Sequence, residues 1–269
     1  MKAFDLDRIG GRRALSALVD EVCRAGEEAL SLFRAGVLIE KKPDRSPVTN
    51  ADQRVEARLR GFLARTFPDH GFLGEESGES EGKAAFRWIV DPIDGTRAFM
   101  RGLPSWSLLV GLEAEGVPVV GVSLLPALGA LFVGVRGDGA TRDGRPLRVS
   151  SIERLEDAMI MHGGLEQFTE QGRSQMLIEL GRRAYSARGF ADMMGHAAVL
   201  EGKADAVVDP RVKPWDLCAV AVLLREAGGR LTDFNGNETI YGGDALATNG
   251  RIHDELLALV SSDRWSKMP

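Results

Sequence analysis

Trp88-Ile89-Val90-Asp91-Pro92-Ile93-Asp94-Gly95-Thr96 runs an apolar strand into two acids and then into a helix start. Val90 carries the strand to Asp91. Pro92 has no N–H for a sheet ladder and is expected to end the strand, and the turn after it returns Asp94 to the side of Asp91. Gly95 lets the backbone approach an anion closely, and free amides at a helix N-terminus favour negative charge. Two carboxylates about 4 Å apart repel by roughly 4 kcal/mol at an effective dielectric near 20. A hard divalent cation removes that repulsion, so the stretch has the chemistry of a metal-held phosphate.

Upstream, Leu15, Leu18, Val19, Val22, Ala29, Leu30 and Phe33 recur at helical spacing and predict a long amphipathic helix. Thr49-Asn50-Ala51-Asp52 reads as a capping box for a second helix that buries Val55, Leu59, Phe62 and Leu63 and stops near Pro68. A Gly-flanked acidic loop, Gly74 to Glu79, precedes the strand into Asp91. Downstream, Ser107 to Leu112 and two further strands continue a sheet, and Asp138-Gly139 and Asp143-Gly144 mark tight turns. Beyond about Ser150 helix and strand alternate: helices over Glu166–Arg183, Asp192–Glu201, Trp215–Ala227 and His253–Val260, with strands at Ala206–Val208 and Arg230–Asp233. Two lobes sharing one core are expected, an N-terminal α+β lobe over 1–140 with most of the candidate metal ligands and a C-terminal α/β lobe over 141–269.

The 269 residues, 44% hydrophobic, suffice for a sizeable core. A formal charge of -5 argues against nucleic-acid binding through a basic surface. Val117 to Val135 is uncharged and long enough to span a bilayer, but its prolines and glycines favour two buried strands around Pro126-Ala127-Leu128-Gly129, so no membrane partner is expected. Asp5, Asp7, Arg8, Arg12 and Arg13 precede any apolar run, unlike a secretory signal, and Cys23 and Cys218 lie far from zinc-ligand spacing. A cytoplasmic protein with buried free thiols is the expectation.

Taken singly, the remaining acids have ordinary roles: Glu75 and Glu76 in an acidic loop, Asp216 as a helix-dipole partner after Trp215, Asp52 as half of its capping box. The four histidines show no ligand spacing and read as surface or core residues. Together, Asp91-Pro92-Ile93-Asp94-Gly95-Thr96, Gly74-Glu75-Glu76-Ser77 and Pro214-Trp215-Asp216, with Ser46-Pro47-Val48-Thr49 leading to Asp52, resemble the inositol monophosphatase superfamily over most of the chain. The resemblance implies a five-layered αβαβα sandwich, usually a homodimer, that hydrolyses a small phosphate monoester with two to three Mg2+ per active site. It implies Glu75, Asp91 and the Ile93 carbonyl as ligands of a first metal and Asp91, Asp94 and Asp216 as ligands of a second. The Gly95 and Thr96 amides would hold phosphate, and Thr96, bonded to Asp52, would orient the attacking water, with Glu75 also counted among the catalytic groups. A non-catalytic phosphate-sensing module is the contrasting reading, and the intact acid set speaks against it.

Substrate choice falls in the C-terminal half. Arg188-Gly189-Phe190-Ala191-Asp192, Asp209-Pro210, Phe99 to Pro104 and Asp244 to Gly250 are more similar to the histidinol-phosphatase branch than to inositol phosphatases. Carboxylates such as Asp192 and Asp209 suit an ammonium and an imidazole, whereas a neutral polyol is content with hydroxyls and amides. Asp192 reads equally well as the N-cap of its helix. L-histidinol phosphate is the expected substrate, with an inositol, sugar or nucleotide phosphate as the rival and Arg188 as a further candidate contact.

Overall fold

Helix α1 (Gly11–Ala35) buries Leu18, Val22, Ala25 and Ala29 along one stripe, and α2 (Asn50–Thr66) does the same with Val55, Leu59 and Leu63. In the computed structural model, which describes residues 3–36, 39–41, 47–190, 192–261 and 265, both stripes face a sheet. Ser46 and Ala191, each part of a motif quoted above, lie outside the described residues. A short pair, β1 (Ile39–Lys41) and β2 (Pro47–Thr49), leads into α2.

The first sheet has eight strands in the order β10-β9-β8-β7-β6-β5-β3-β4. They are β3 (Gly71–Gly74), β4 (Gly78–Ser80), β5 (Phe86–Asp94), β6 (Ser107–Ala114), β7 (Val117–Leu125), β8 (Ala130–Val135), β9 (Gly139–Arg142) and β10 (Arg145–Pro146). Every residue of β6 is buried, because both sheet faces are covered. Leu108, Val110 and Leu112 alternate toward the α1–α2 core while Leu109 joins a second core on the other face, the two-residue period of a strand. Asp143 and Gly144 both take positive φ, 49° and 75°, which closes the β9–β10 hairpin with the mirror-image turn its twist favours.

The second sheet has five strands in the order β12-β11-β13-β15-β14: β11 (Met159–His162), β12 (Ser186–Arg188), β13 (Ala206–Asp209), β14 (Arg230–Thr232) and β15 (Ala245–Thr248). Helices α6 (Asp192–Leu200) and α7 (Pro214–Glu226) fill the space between the sheets. The far face is covered by α5 (Ser174–Arg183) and α8 (His253–Val260), completing the αβαβα sandwich. Helix α7 comes unusually close to the first sheet, where Gly111 and Gly121 are register partners. A Cβ on Gly111 would lie 2.4 Å from Cys218 Sγ, and one on Gly121 would lie 2.4 Å from the Ala219 carbonyl. That approach carries Asp216, in the first turn of α7, toward the end of β5.

Three expectations need correction. β5 does not end at Pro92: it pairs through Asp91↔Leu109 and again at Asp94↔Ser107, with one extra residue bulged between them. Pro92 sits in that bulge, where a missing N–H costs no ladder bond. The single helix expected over Glu166–Arg183 is two, α4 (Leu165–Glu170) and α5, because Gly172 turns the chain at a left-handed φ of 66°. Strands β11, β12 and β15, of three or four residues each, were not among the expected strands. Val117 to Val135 forms β7, a turn and β8, and among the described residues no helix is long and apolar enough to cross a membrane.

Candidate active site

The capping box that starts α2 does more than start a helix. Asp52 Oδ2 accepts the Thr49 N–H at 2.8 Å and the Thr49 hydroxyl at 2.6 Å, which fixes the carboxylate and leaves Oδ1 facing β5. There the Thr96 hydroxyl lies 3.3 Å from Asp52 Oδ1 and 3.1 Å from the Ile93 carbonyl oxygen. Its one proton serves one of these acceptors at a time, and its lone pairs remain open to a donor. Burial raises the Asp52 carboxyl above its usual range; the Thr49 bonds oppose this and the nearby Glu75 charge adds to it.

The bulge in β5 turns Asp91 and Asp94 to the same end of the sheet. Asp91 Oδ1 accepts the Ile93 N–H at 3.0 Å. Asp94 Oδ2 accepts the Ser107 hydroxyl at 2.7 Å and the Met193 N–H at 2.8 Å. Asp216, whose Oδ2 accepts the Lys213 N–H at 2.7 Å, completes a group in which one oxygen from each of Asp91, Asp94 and Asp216 lies within 4.8 Å of the others. Asp91 and Asp94 are only 2% and 5% exposed, and among the described residues none of the three acids has an ion pair with Lys or Arg. Burial first, then the charges of Glu75 and Asp94, push the Asp91 carboxyl far up; burial and Asp94 do the same to Asp216. Asp94 is pushed up to about 8 by burial and by Asp192, against the pull of its two hydrogen bonds. An oxygen-only donor set carrying this much unrelieved negative charge fits a hard divalent cation. Glu75, half-buried at the end of β3, acts on Asp52, Asp91, Asp94 and Asp216 through its charge.

Gly95 takes a left-handed φ of 82° that turns the chain into the short helix α3 (Thr96–Met100). A Cβ there would sit 3.1 Å from Asp192 Oδ2, so the Asp192 carboxylate lies directly over the Gly95–Thr96 turn. Asp192 opens α6 and holds a strained φ of 58°. Asp209, at the end of β13, accepts the Arg211 N–H at 3.1 Å, and its Oδ1 lies 2.9 Å from where a Cβ of Gly163 would be. Burial, with Asp209 and Asp216 nearby, pushes Asp192 up to about 7, and burial together with Asp94 and Asp244 pushes Asp209 to about 7. Arg188 is exposed on an edge strand and donates to the Ala187 carbonyl at 2.8 Å; among the described residues it has no ion pair with the acids.

Four parts of the site escaped the sequence. Ser107 and the Met193 N–H fasten Asp94 from 13 and 99 residues away, and no local pattern announces either. Arg97 pairs with Glu166 across the mouth, joining α3 to α4, and both act on Asp192 electrostatically. His253 bonds Thr232 and Thr248 in the core, and His196 is buried.

A five-layered sandwich that gathers buried carboxylates over a Gly-Thr helix start defines a metal-dependent phosphatase. The chain belongs to the inositol monophosphatase family, whose model matches residues 12–266. It is 41% identical to the histidinol-phosphatase of Mycobacterium tuberculosis, over 93% of this chain and 96% of that one. It is 32% identical to the inositol-1-monophosphatase of Rhizobium meliloti, over 94% and 98% of the two chains. The crystal structure of extragenic suppressor protein suhB from Bartonella henselae superposes with a TM-score of 0.87 at 29% identity, covering 93% of this chain and 99% of that one.

Proposed function

We propose that this phosphatase hydrolyses L-histidinol phosphate to L-histidinol and phosphate with magnesium as its cation. The observation that carries the reading is the place of Asp192. Its carboxylate overhangs the Gly95–Thr96 turn, with Asp209, Asp216 and Glu166 as acidic neighbours and Arg97, itself paired with Glu166, as the one cation acting on it among the described residues. A phosphate held at that turn presents its leaving group to these acids. An ammonium or imidazolium there would relieve their mutual repulsion, whereas a neutral polyol offers only hydroxyls. Similarity to a protein named histidinol-phosphatase supports the same substrate, and the chain's lower identity to an inositol-1-monophosphatase is consistent with it.

Asp91, Asp94 and Asp216, with Glu75 and the Ile93 carbonyl, are the groups we assign to holding two to three Mg2+. When bound, the cations neutralise phosphate charge and acidify a water nucleophile. The chain's own groups do the rest. Gly95 and Thr96 present their amides to phosphate oxygens, Thr96 Oγ1 accepts and orients the attacking water, and Asp52 receives the proton through Thr96. Asp52 suits that part because burial has raised its affinity for a proton.

We extend the reading to a cytoplasmic homodimer. An apolar groove of about 430 Å³, lined by Phe132, Met161 and Met194 and rimmed by the exposed Leu128 and Phe190, supports a protein partner on the side of the substrate segment. The substrate is tested by phosphate release from a panel of monoesters at fixed magnesium, with a chelated control. L-Histidinol phosphate is expected to lead in kcat/KM and the chelated enzyme to be inactive. Full turnover after thorough chelation would end the metal assignment.

A further inference from the structure

Glu56 lies one helical turn beyond Asp52 on α2 and is 2% exposed. A buried carboxylate needs partners, and among the described residues Glu56 has no ion pair. Its partners are backbone amides instead. Oε2 accepts the Glu76 N–H at 2.8 Å and Oε1 accepts the Ser77 N–H at 2.6 Å, so both oxygens grip consecutive amides of the turn between β3 and β4. The strand narrows to let the carboxylate through: a Cβ on Gly74 would lie 2.6 Å from Glu56 Oε2. Gly74 and Glu76 flank Glu75, and the Glu75 N–H is tied to the Val90 carbonyl at 3.3 Å.

One face of α2 therefore serves both halves of the water-activating apparatus. Asp52 meets Thr96, and four residues on Glu56 fixes the loop that carries Glu75, whose charge acts on Asp91. We propose that Glu56 is a positioning residue: it pins the Gly74–Ser77 turn so that Glu75 is held beside Asp91 before the cation arrives. The proposal rests on the assignment of Glu75 as a ligand. The bonds are charge-assisted and hold two consecutive backbone amides of the turn, so loss of the charge loosens the segment that carries Glu75 without altering Glu75 itself.

The test uses the full-length protein. Glu56→Gln keeps the shape but turns an NH2 group toward one of the two amides it must accept. In the metal-free protein, hydrogen exchange at the Glu76 and Ser77 amides should accelerate at least tenfold while β5 amides stay protected. Magnesium binding by calorimetry should weaken at least tenfold, and the magnesium needed for half-maximal activity should rise in step, with kcat recovering at saturation. Gly74→Ala provides a route that removes no charge: its methyl meets the Glu56 carboxylate at 2.6 Å and the Phe72 ring at 2.7 Å, and by displacing the carboxylate it should reproduce the magnesium shift, which decides the matter if Glu56→Gln does not fold. Magnesium binding within twofold of wild type in Gly74→Ala, or in a folded Glu56→Gln, overturns the proposal. Absence of magnesium binding by the wild type breaks the ligand assignment itself, and the amide exchange then shows whether the clamp exists independently of it.

Discussion

The α2–β5–α3 side of the site and the α6–β13–α7 side are built on different plans. On the first, restraint is local: Thr49 holds Asp52 three residues away, and the Ile93 N–H holds Asp91 two residues away. The Thr96 hydroxyl reaches back three residues to the Ile93 carbonyl. On the second, Asp192, Asp209 and Asp216 come from three separate elements and meet only because α6 and α7 pack between two sheets. The Met193 N–H to Asp94 is the seam between them. The groups we assign to the shared chemistry are wired into short segments, while the part we assign to the leaving group is assembled by packing.

If that division holds, the largest losses come from the first side and from the one acid shared with it. Asp94→Asn and Asp216→Asn each remove a charge whose assigned partner is a cation, and should lower kcat/KM on the order of 10³-fold. Both variants should fold, and metal-free Asp94→Asn should melt higher than wild type above pH 8, since a carboxylate held up at about 8 is removed from among its like. Near-normal turnover in both variants breaks the assignment. Thr96→Ala should lower kcat by about 10² to 10⁴-fold with little change in substrate affinity. Collapse of equilibrium substrate binding, with single-turnover hydrolysis intact, would move Thr96 from water to substrate.

The packing side is tested through Gly121→Ala. The methyl meets the Ala219 carbonyl at 2.4 Å and must push α7 away from the sheet, at a cost of about 1–3 kcal/mol in stability. Activity should fall further than stability alone explains, because Asp216 travels with α7. Chemical denaturation and kinetics on the same preparation check both.

A smaller effect separates the two sides by pH. Asp94 at about 8 and Asp192 and Asp209 at about 7 bind protons more tightly folded than unfolded. Their stabilising contribution is full below pH 4 and is lost as pH rises toward 8. The buried His196 and His253, both held near 4, act in the opposite sense only below about 6.5. The metal-free protein should therefore lose melting temperature between pH 6.5 and 8, and saturating magnesium should abolish the slope. A flat metal-free profile would mean that these acids are better solvated than their burial implies.

The sequence made the local side readable because its restraints lie within a few residues: capping box, strand and Gly-Thr start are all short patterns. Pro92 misled only about where β5 ends, since a bulge tolerates a missing N–H as well as a terminus does. Asp216 was found through its motif, but what brings it to Asp91 was not, because Gly111 and Gly121 matter only once α7 lies on them. Ser107, Glu56, Arg97 and Glu166 went unread because their partners lie 13 to 69 residues away, or are backbone amides that carry no side-chain signature.

The central claim is that the assembled side selects a cationic leaving group. It is tested most directly by the ratio of kcat/KM for L-histidinol phosphate to that for myo-inositol 1-phosphate, measured at saturating magnesium in wild type and Asp192→Asn. A charge-assisted hydrogen bond contributes about 1.5–3 kcal/mol, so the wild-type ratio should be roughly tenfold or more, and Asp192→Asn should erode it while sparing hydrolysis of an aryl phosphate. Equal or better efficiency on the inositol phosphate in the wild-type enzyme would contradict the claim and leave the phosphatase without its assigned substrate.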